Sequence, residues 1–185
     1  MFKKISVIVA VFGFVFATTS NAGDMGMYAG GSLASIDYEI TEDGYEDEGL
    51  DMIVGSGMFG FSFNENFSVE GRLGFGLTDD EIGDVTFETE YFFSAFLRAA
   101  IPVDGGNIYG LIGVSNVKFK YSYPWFGDTY SESESESDVS FGIGAELPIY
   151  SKGMLGIEYI ELIDKEIDGT NFDLSTVGIV FKHSF

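Results

Sequence analysis

Four acidic side chains recur at every second position of the segment SESESESD, Ser131–Asp138. They are Glu132, Glu134, Glu136 and Asp138, and carboxylate oxygens are ligands that calcium and magnesium prefer. In an extended chain they would project to one side at intervals of about 6.6–6.8 Å, two strand rises. The segment therefore predicts either a solvated, mobile acidic loop or a weak divalent-cation site.

Two other groupings could carry chemistry but lack the required arrangement. His183 beside Ser184 suggests a hydrolase, yet neighbouring residues of a strand point to opposite faces and cannot form a base–nucleophile pair. The segment Asp164–Gly169 begins like a calcium-binding loop, but Ser175 stands where such a loop needs a bidentate Glu. We therefore predict a protein that is not an enzyme, with no catalytic residue, no cofactor and no dedicated metal site.

Six charged residues of both signs lie in segments where the other polar positions are mostly glycine and serine. They are Glu70, Arg72, Arg98, Glu146, Glu158 and Lys182. Such a mixture suits the interior of a small barrel, because eight strands enclose a space just wide enough for side chains to fill. We expect a structural network of ion pairs, and the alternative is a gated path for ions.

Period-two alternation of apolar and polar residues runs through most of the chain and predicts the strands that would position these groups. One face of 138–147 is apolar and the other carries Ser140, Gly142, Gly144 and Glu146. The same pattern marks 67–77 and the last strand, 176–185. Similar runs cover about 26–40, 50–63, 87–101, 108–121 and 154–163, which makes eight strands.

The predicted connections alternate in length. Short turns are expected at 64–66, 104–107 and 151–153, and longer acidic loops near 41–49, 78–86, 122–138 and 164–173. Short turns on one side and long loops on the other are typical of outer-membrane barrels. The expected fold is an all-β, eight-stranded, antiparallel, up-and-down transmembrane barrel.

The apolar faces of these strands are rich in Phe, Tyr, Leu, Ile and Val, as expected of a surface in contact with lipid. Aromatic residues toward the strand ends would form girdles at the two membrane interfaces. The candidates are Tyr38, Phe67, Tyr91, Tyr109, Tyr121, Tyr159 and Phe185.

The N-terminus predicts export. Two lysines precede an apolar run from Ile5 to Ala17, and a small-x-small cleavage site ends at Ala22. The run is shorter than the roughly 20 residues that a spanning helix needs. We predict a signal peptide over residues 1–22 and one domain over residues 23–185.

Composition narrows the classes of function. The formal net charge of −21 would repel nucleic acid, and the absence of cysteine excludes disulfides. The hydrophobic fraction of 45%, with 16% aromatic residues, is far above that of a disordered acidic chain.

Taken together, the signal peptide and the segments FSVEGRLGFG, SFGIGAELPI, LGIEYIEL and VGIVFKHSF resemble the small eight-stranded outer-membrane barrels. These are the OmpA transmembrane domain, the OmpX-like proteins and the opacity-type "porin family" barrels. In that family a C-terminal strand ending in Phe is similar to the signal read by the barrel-assembly machinery, and this chain fits it with Val177, Ile179, Phe181 and Phe185.

The resemblance implies an integral outer-membrane protein of a Gram-negative bacterium, with acidic extracellular loops that serve envelope integrity, surface interaction or adhesion. The expected partners are outer-membrane lipid and lipopolysaccharide, the assembly machinery, and a surface ligand or divalent cations; a monomer is expected. The alternatives are a narrow porin for small solutes or ions and a soluble periplasmic β-domain.

Overall fold

The structure, a computed structural model, describes residues 26–42, 48–82, 85–125, 128–167 and 170–185. Nearly all of them lie in strands. The strands are β1 (Gly26–Glu42), β2 (Glu48–Ser62), β3 (Phe67–Gly76), β4 (Asp79–Ile82), β5 (Val85–Val103), β6 (Gly106–Trp125), β7 (Asp128–Tyr150), β8 (Gly153–Ile167) and β9 (Thr170–Ser184). Over these ranges no helix is long and apolar enough to cross a membrane. The predicted signal peptide, residues 1–22, lies outside the described residues.

The strands form one closed antiparallel ring. Their order is β3-β2-β1-β9-β8-β7-β6-β5-β4, and pairing between β3 and β5 completes the circle. The last strand pairs with the first over its whole length, from Tyr28 opposite Ser184 to Glu42 opposite Thr170. Closure leaves no edge running the height of the barrel, which a sheet surrounded by lipid requires.

The nine strands occupy eight positions around the ring, which confirms the predicted eight-stranded fold. The ninth strand arises because β3 and β4 together occupy one position in the ring. Both pair with β5, and this pairing is interrupted between Gly74 and Asp79. There the backbone N–H groups of Leu77 and Thr78 donate to the carbonyl oxygen of Ile53 on β2. At the interruption the backbone is therefore bonded to β2 instead of β5, and the ring stays closed.

The four predicted long loops are wrong where the structure describes them, because every described residue of these segments except Thr78 lies in a strand. Residues 43–47, 83–84, 126–127 and 168–169 lie outside the described residues. The ladder between β6 and β7 extends to Trp125 opposite Asp128, so most of the supposed loop at 122–138 is a regular hairpin. Likewise β8 and β9 pair up to Ile167 opposite Thr170. The alternation of Ser and Glu has the period of a strand, and in-register pairing stabilises it although both residue types are polar.

Each strand presents one face to the barrel axis and the other outward. On β7, the even-numbered Ser140, Gly144 and Glu146 are buried, while the odd-numbered Phe141 and Ile143 are exposed. This assignment agrees with the faces predicted from the sequence and determines which side chains meet inside.

Candidate functional site: barrel interior and acidic hairpin

Arg72 lies at the centre of the first group of interior charges. Its guanidinium donates to both carboxylate oxygens of Glu158, the longer contact being 2.8 Å, and also to Glu70. The Tyr28 hydroxyl donates to Glu70 at 2.7 Å, and the Tyr109 hydroxyl donates to Glu158 at 3.0 Å. Each of the two carboxylates thus accepts both a charged and a neutral donor.

Glu146 is the centre of the second group. The Lys182 ammonium and the Asn107 amide both donate to it at 3.0 Å, and an Arg98 nitrogen lies 2.8 Å away. The Arg98 guanidinium also stacks 4.0 Å from the centre of the Tyr109 ring. All six charged residues predicted for the interior are at most 8% exposed. Three acids and three bases balance, so this charged layer carries no net charge.

Sequence reasoning missed the neutral members of the charged layer, and for Tyr109 it was wrong. Tyr109 was expected in an interface girdle but is only 3% exposed inside the barrel. Its position two residues before the buried Leu111 on β6 gives it the inward face. That parity is the signal that could have placed Tyr109, and the same reasoning applies to Tyr28 and Asn107.

The other half of the interior is apolar, which the sequence did not predict. It lies toward the long hairpins, whereas the charged layer lies toward the short turns. This apolar layer consists of Ile36, Met52, Val54, Phe92, Val117, Ile160, Leu162, Ile163 and Leu174, each at most 5% exposed. It closes the barrel above the charged layer with mostly apolar side chains, among which Thr89 and Thr176 are also buried.

A small cavity remains where the two layers meet. Its volume is about 20 Å³, and Ser56, Ser94, Arg72 and Glu158 contribute polar atoms to its lining. A volume of roughly 10–15 Å³ is enough to hold one water molecule. The cavity therefore has room for about one water, and an interior packed to this degree leaves little space for a solute path.

The outer face of the ring is an apolar band. Ile101, Val177 and Leu73 are 60% or more exposed although they are large and hydrophobic. On β7 the band runs from Val139 to Ile149, and toward the long hairpins it gives way to serine and acidic residues. A soluble protein does not expose apolar residues over a whole sheet face, whereas contact with lipid accounts for them.

The sequence also matches the family model described as "Outer membrane protein beta-barrel domain" over residues 7–185. The chain belongs to this family. Membership places the protein in the outer membrane, which replaces the alternative of a soluble periplasmic domain. Among curated proteins, none matches the sequence.

Solved structures with the same architecture are also outer-membrane or surface proteins. Ail, the attachment invasion locus protein of Yersinia pestis, has a TM-score of 0.55 and 20% identity, over 85% of this chain and 98% of that chain. Neisserial surface protein A gives 0.57 and 12%, over 89% and 100%, and OprG from Pseudomonas aeruginosa gives 0.57 and 14%, over 88% and 97%. At these identities the likeness shows the fold alone.

In outer-membrane barrels the short turns face the periplasm and the long connections face outward. The β6–β7 hairpin is one of the long connections of this barrel. The β6–β7 hairpin extends nine residues beyond Asn116, where the apolar outer face of β6 ends. At about 3.3 Å per residue this extension measures roughly 30 Å along the strand.

The two faces of the β6–β7 hairpin differ in charge. Glu132, Glu134 and Glu136 continue the axis-facing side of β7, and serines alternate with them on the opposite side. The phenol of Tyr121 donates to Glu132 at 2.9 Å. This hydrogen bond, together with desolvation and the charges of Glu132 and Glu134, raises the pKa of Tyr121 to about 12.

The two lysines of the hairpin lie on its other face, beside the serines. Lys118 is paired with Glu90 at 2.7 Å, and Lys120 lies 3.7 Å from Glu88. Both acids come from the neighbouring strand β5. The lysines are thus engaged away from the row of glutamates and do not neutralise it.

The structure does not gather the predicted cation candidates into a chelating group. Glu132, Glu134, Glu136 and Asp138 are spread along one strand, and among the described residues no group of three or more potential ligands could hold a metal ion. Asp138 instead accepts backbone N–H groups from Val139 and Asp164.

The residues of the proposed assembly signal lie on β9, where it closes the ring. Val177 and Ile179 are exposed on the outer face, and Phe181 is half-buried there. The backbone N–H of Phe185 donates to the carbonyl of Met27 on β1 at 3.0 Å.

His183 lies on the outer face of β9, at the end of the barrel that carries the short turns. Its Nδ1 is 2.7 Å from the Tyr150 hydroxyl, and its ring meets that of Phe185 edge-on. Ser184 lies on the opposite face of the strand, so the two side chains form no base–nucleophile pair.

Proposed function

We propose that this barrel is a non-enzymatic surface protein, in which a sealed β-barrel anchors acidic extracellular hairpins that serve surface interaction, adhesion or envelope integrity. One observation carries the proposal: the interior is closed by two packed layers, while the β6–β7 hairpin extends well beyond the lipid-facing band. Function then resides in the exposed hairpins, and the barrel serves as a rigid scaffold.

The absence of enzymatic activity is part of this proposal. The only histidine of the chain, His183, contacts aromatic side chains and is separated from Ser184 by the sheet. The interior carboxylates are engaged by arginine, lysine and tyrosine donors, which leaves them poorly placed to act as acids or bases on a substrate.

A narrow porin was the alternative, and the packed interior argues against it. Conduction would require ions to cross a tightly packed, mostly apolar layer and a charged layer whose members are ion-paired. We expect the purified protein in planar lipid bilayers to show no stable conductance steps. Large, stable steps would contradict the sealed barrel.

The remaining partner assignments are proposals that follow from the same architecture. We infer export through a cleaved signal peptide over residues 1–22, insertion by the barrel-assembly machinery, and a monomer surrounded by outer-membrane lipid and lipopolysaccharide. One Ail structure contains a heparin analogue, sucrose octasulfate. With a net charge of −21 this chain would repel such a polyanion, so we expect its surface partners to be cationic.

A shortened hairpin tests the proposal directly. Lys118 and Ser135 are opposite each other in the ladder, so an Asn-Gly turn joining them removes 119–134 without changing the register. Cells displaying either protein would be applied to surfaces coated with the basic protein lysozyme, with heparin or with serum albumin. We expect wild-type cells to be retained on lysozyme, and the shortened variant to lose most of that retention. Equal retention of both cell types on all three surfaces would contradict the proposed role.

A further inference from the structure

Strand β7 pairs with β6 along one edge over most of its length, and with β8 along the other edge over less than half of it. Its ladder with β6 runs from Asp128 to Glu146, whereas its ladder with β8 begins at Phe141 opposite Glu161. Within the described residues, no strand pairs with the second edge of β7 from Asp128 to Ser140. In a strand, the N–H and C=O groups of alternate residues point to the same edge, so a row of backbone donors and acceptors faces this side.

Side chains mark the point where β7 and β8 separate. The Ser140 hydroxyl donates to the carbonyl oxygen of Leu162 at 2.8 Å, and the carboxylate of Asp138 accepts the N–H of Asp164 at 3.3 Å. The β8–β9 ladder shifts register at the same height, between Glu161 and Ile163. These contacts end the barrel wall on this side, and the rest of β7 continues outward beside β6 alone.

An unpaired strand edge is a template for another extended chain. Its side chains decide which chain fits, because residues opposite each other in a sheet project to the same face. On β7 one face of the edge carries Glu132, Glu134 and Glu136, and the other face carries serines. Pairing with the same edge of a second copy in one continuous sheet would put glutamate beside glutamate, which like-charge repulsion disfavours.

The row of glutamates is held in register. The ladder with β6 fixes the backbone, and Tyr121, directly opposite Glu132, also bonds to its carboxylate. The carboxylates therefore recur at about 6.6–6.8 Å, the interval at which alternate side chains recur on any strand laid beside them. Lys118 and Lys120 lie on the opposite face, paired with acids of β5, and do not compete for this row.

We propose that the open edge of β7 binds an extended basic peptide segment by strand addition, with basic side chains at every second position and small polar residues between them. Its basic residues lie beside Glu132, Glu134 and Glu136, and its small residues lie beside the serines. Backbone hydrogen bonds hold the segment in place, and the alternating charges select it. The inference rests on the proposed surface role of the hairpin and specifies the chemistry of its partner.

Three fluorescent peptides of equal length test the mode of binding by anisotropy titration against the full-length protein in detergent micelles. The first is Thr-Lys-Thr-Lys-Thr-Lys-Thr, and the second has the same composition with its lysines consecutive, Thr-Thr-Lys-Lys-Lys-Thr-Thr. The third is the first peptide with alternate backbone nitrogens methylated, which keeps its charge but removes donors that strand addition needs. We expect the first peptide to bind at least tenfold more tightly than either of the others. Equal affinity of all three would overturn strand addition, since plain charge attraction would then explain the binding.

Variants of the protein complete the test. Replacing Glu132, Glu134 and Glu136 with Gln should weaken binding of the alternating peptide at least tenfold, and Glu88→Gln, on the other face, should leave it unchanged. If cell retention on lysozyme depends on the hairpin, but the triple variant and the methylated peptide behave like their parents, the inference fails while the proposed function stands. If shortening the hairpin changes neither retention nor peptide binding, both fail.

Discussion

At the scale of single residues, the interior of this barrel depends on complete pairing of buried charges. Arg72 contacts both Glu70 and Glu158, so each of these three residues compensates a charge that has lost its water. The net contribution of such a group relative to apolar packing is small, but removing one member leaves an uncompensated charge inside the protein. Removing one carboxylate therefore tests how much the pairing of buried charges contributes to the stability of the barrel.

We expect Glu158→Gln to destabilise the folded barrel by about 3–5 kcal/mol, the range for breaking a buried ion pair. The variant keeps the shape of the side chain but removes the charge that faces Arg72. Urea-induced unfolding in lipid vesicles, followed by the heat-dependent gel shift, measures the effect. The matched control is Glu88→Gln, whose exposed contact with Lys120 should contribute less than about 1 kcal/mol. Indistinguishable unfolding curves for Glu158→Gln and wild type would contradict this account of the charged layer.

At the scale of elements, the rim of the barrel on the side of the long hairpins places like charges opposite each other. Asp164 on β8 faces Asp173 on β9, beyond the end of the apolar band on both strands. Desolvation, with the negative charges of Asp164 and Asp37, raises the pKa of Asp173. A carboxyl group whose pKa is higher in the folded than in the unfolded state binds protons more tightly when folded. Its contribution to stability therefore falls as the pH rises through this window and recovers as the pH is lowered.

We expect Asp173→Asn to stabilise the β8–β9 hairpin at neutral pH by about 0.2–1 kcal/mol, the size of cross-strand pair effects. The gain should shrink as the pH is lowered through the titration range of the carboxyl group, because protonation of wild-type Asp173 has the same effect as the substitution. Hydrogen exchange of the hairpin amides at neutral and acid pH measures both. A variant less protected than wild type at neutral pH would show that the aspartate pair does not repel.

These elements also show which features of the structure can be predicted from the sequence alone. The alternation in 138–147 and in 154–163 was enough to predict these two strands, their faces and the positions of Glu146 and Glu158. The hairpin was missed because Ser131–Asp138 is polar on both faces, so nothing in it signals the ladder that β6 supplies. The apolar layer was missed because Phe92 and Phe93 are both apolar and conceal which of them points inward. Contacts between distant strands decide such cases, and no local pattern contains them.

At the scale of the whole molecule, closure of the ring depends on the last strand. The backbone N–H of Phe185 donates to the carbonyl of Met27 on β1. The residues near Phe185 on the outer side of β9 contact lipid. We expect deletion of Phe185 to reduce the fraction of protein inserted in outer membranes severalfold, because the closing seam loses a backbone hydrogen bond where unpaired groups are costly. The measurement is the folded, heat-modifiable fraction in purified membranes. Ser184→Ala, an exposed position beside the seam, serves as the control, and normal insertion of the truncated chain would contradict the prediction.

The row of glutamates on β7 affects how the barrel inserts into the membrane as well as what its surface binds. In the proposed extracellular orientation, Glu132, Glu134, Glu136 and Asp138 must traverse the hydrocarbon layer, where each carboxylate raises the energy, although by less than the about 2–4 kcal/mol of an Arg or Lys at the midplane. The same barrier opposes their return. Once the hairpin has crossed, its charges hold the barrel in a single orientation for kinetic reasons, whatever the equilibrium between the two orientations. We therefore expect the acidic hairpin to make insertion of this barrel effectively irreversible.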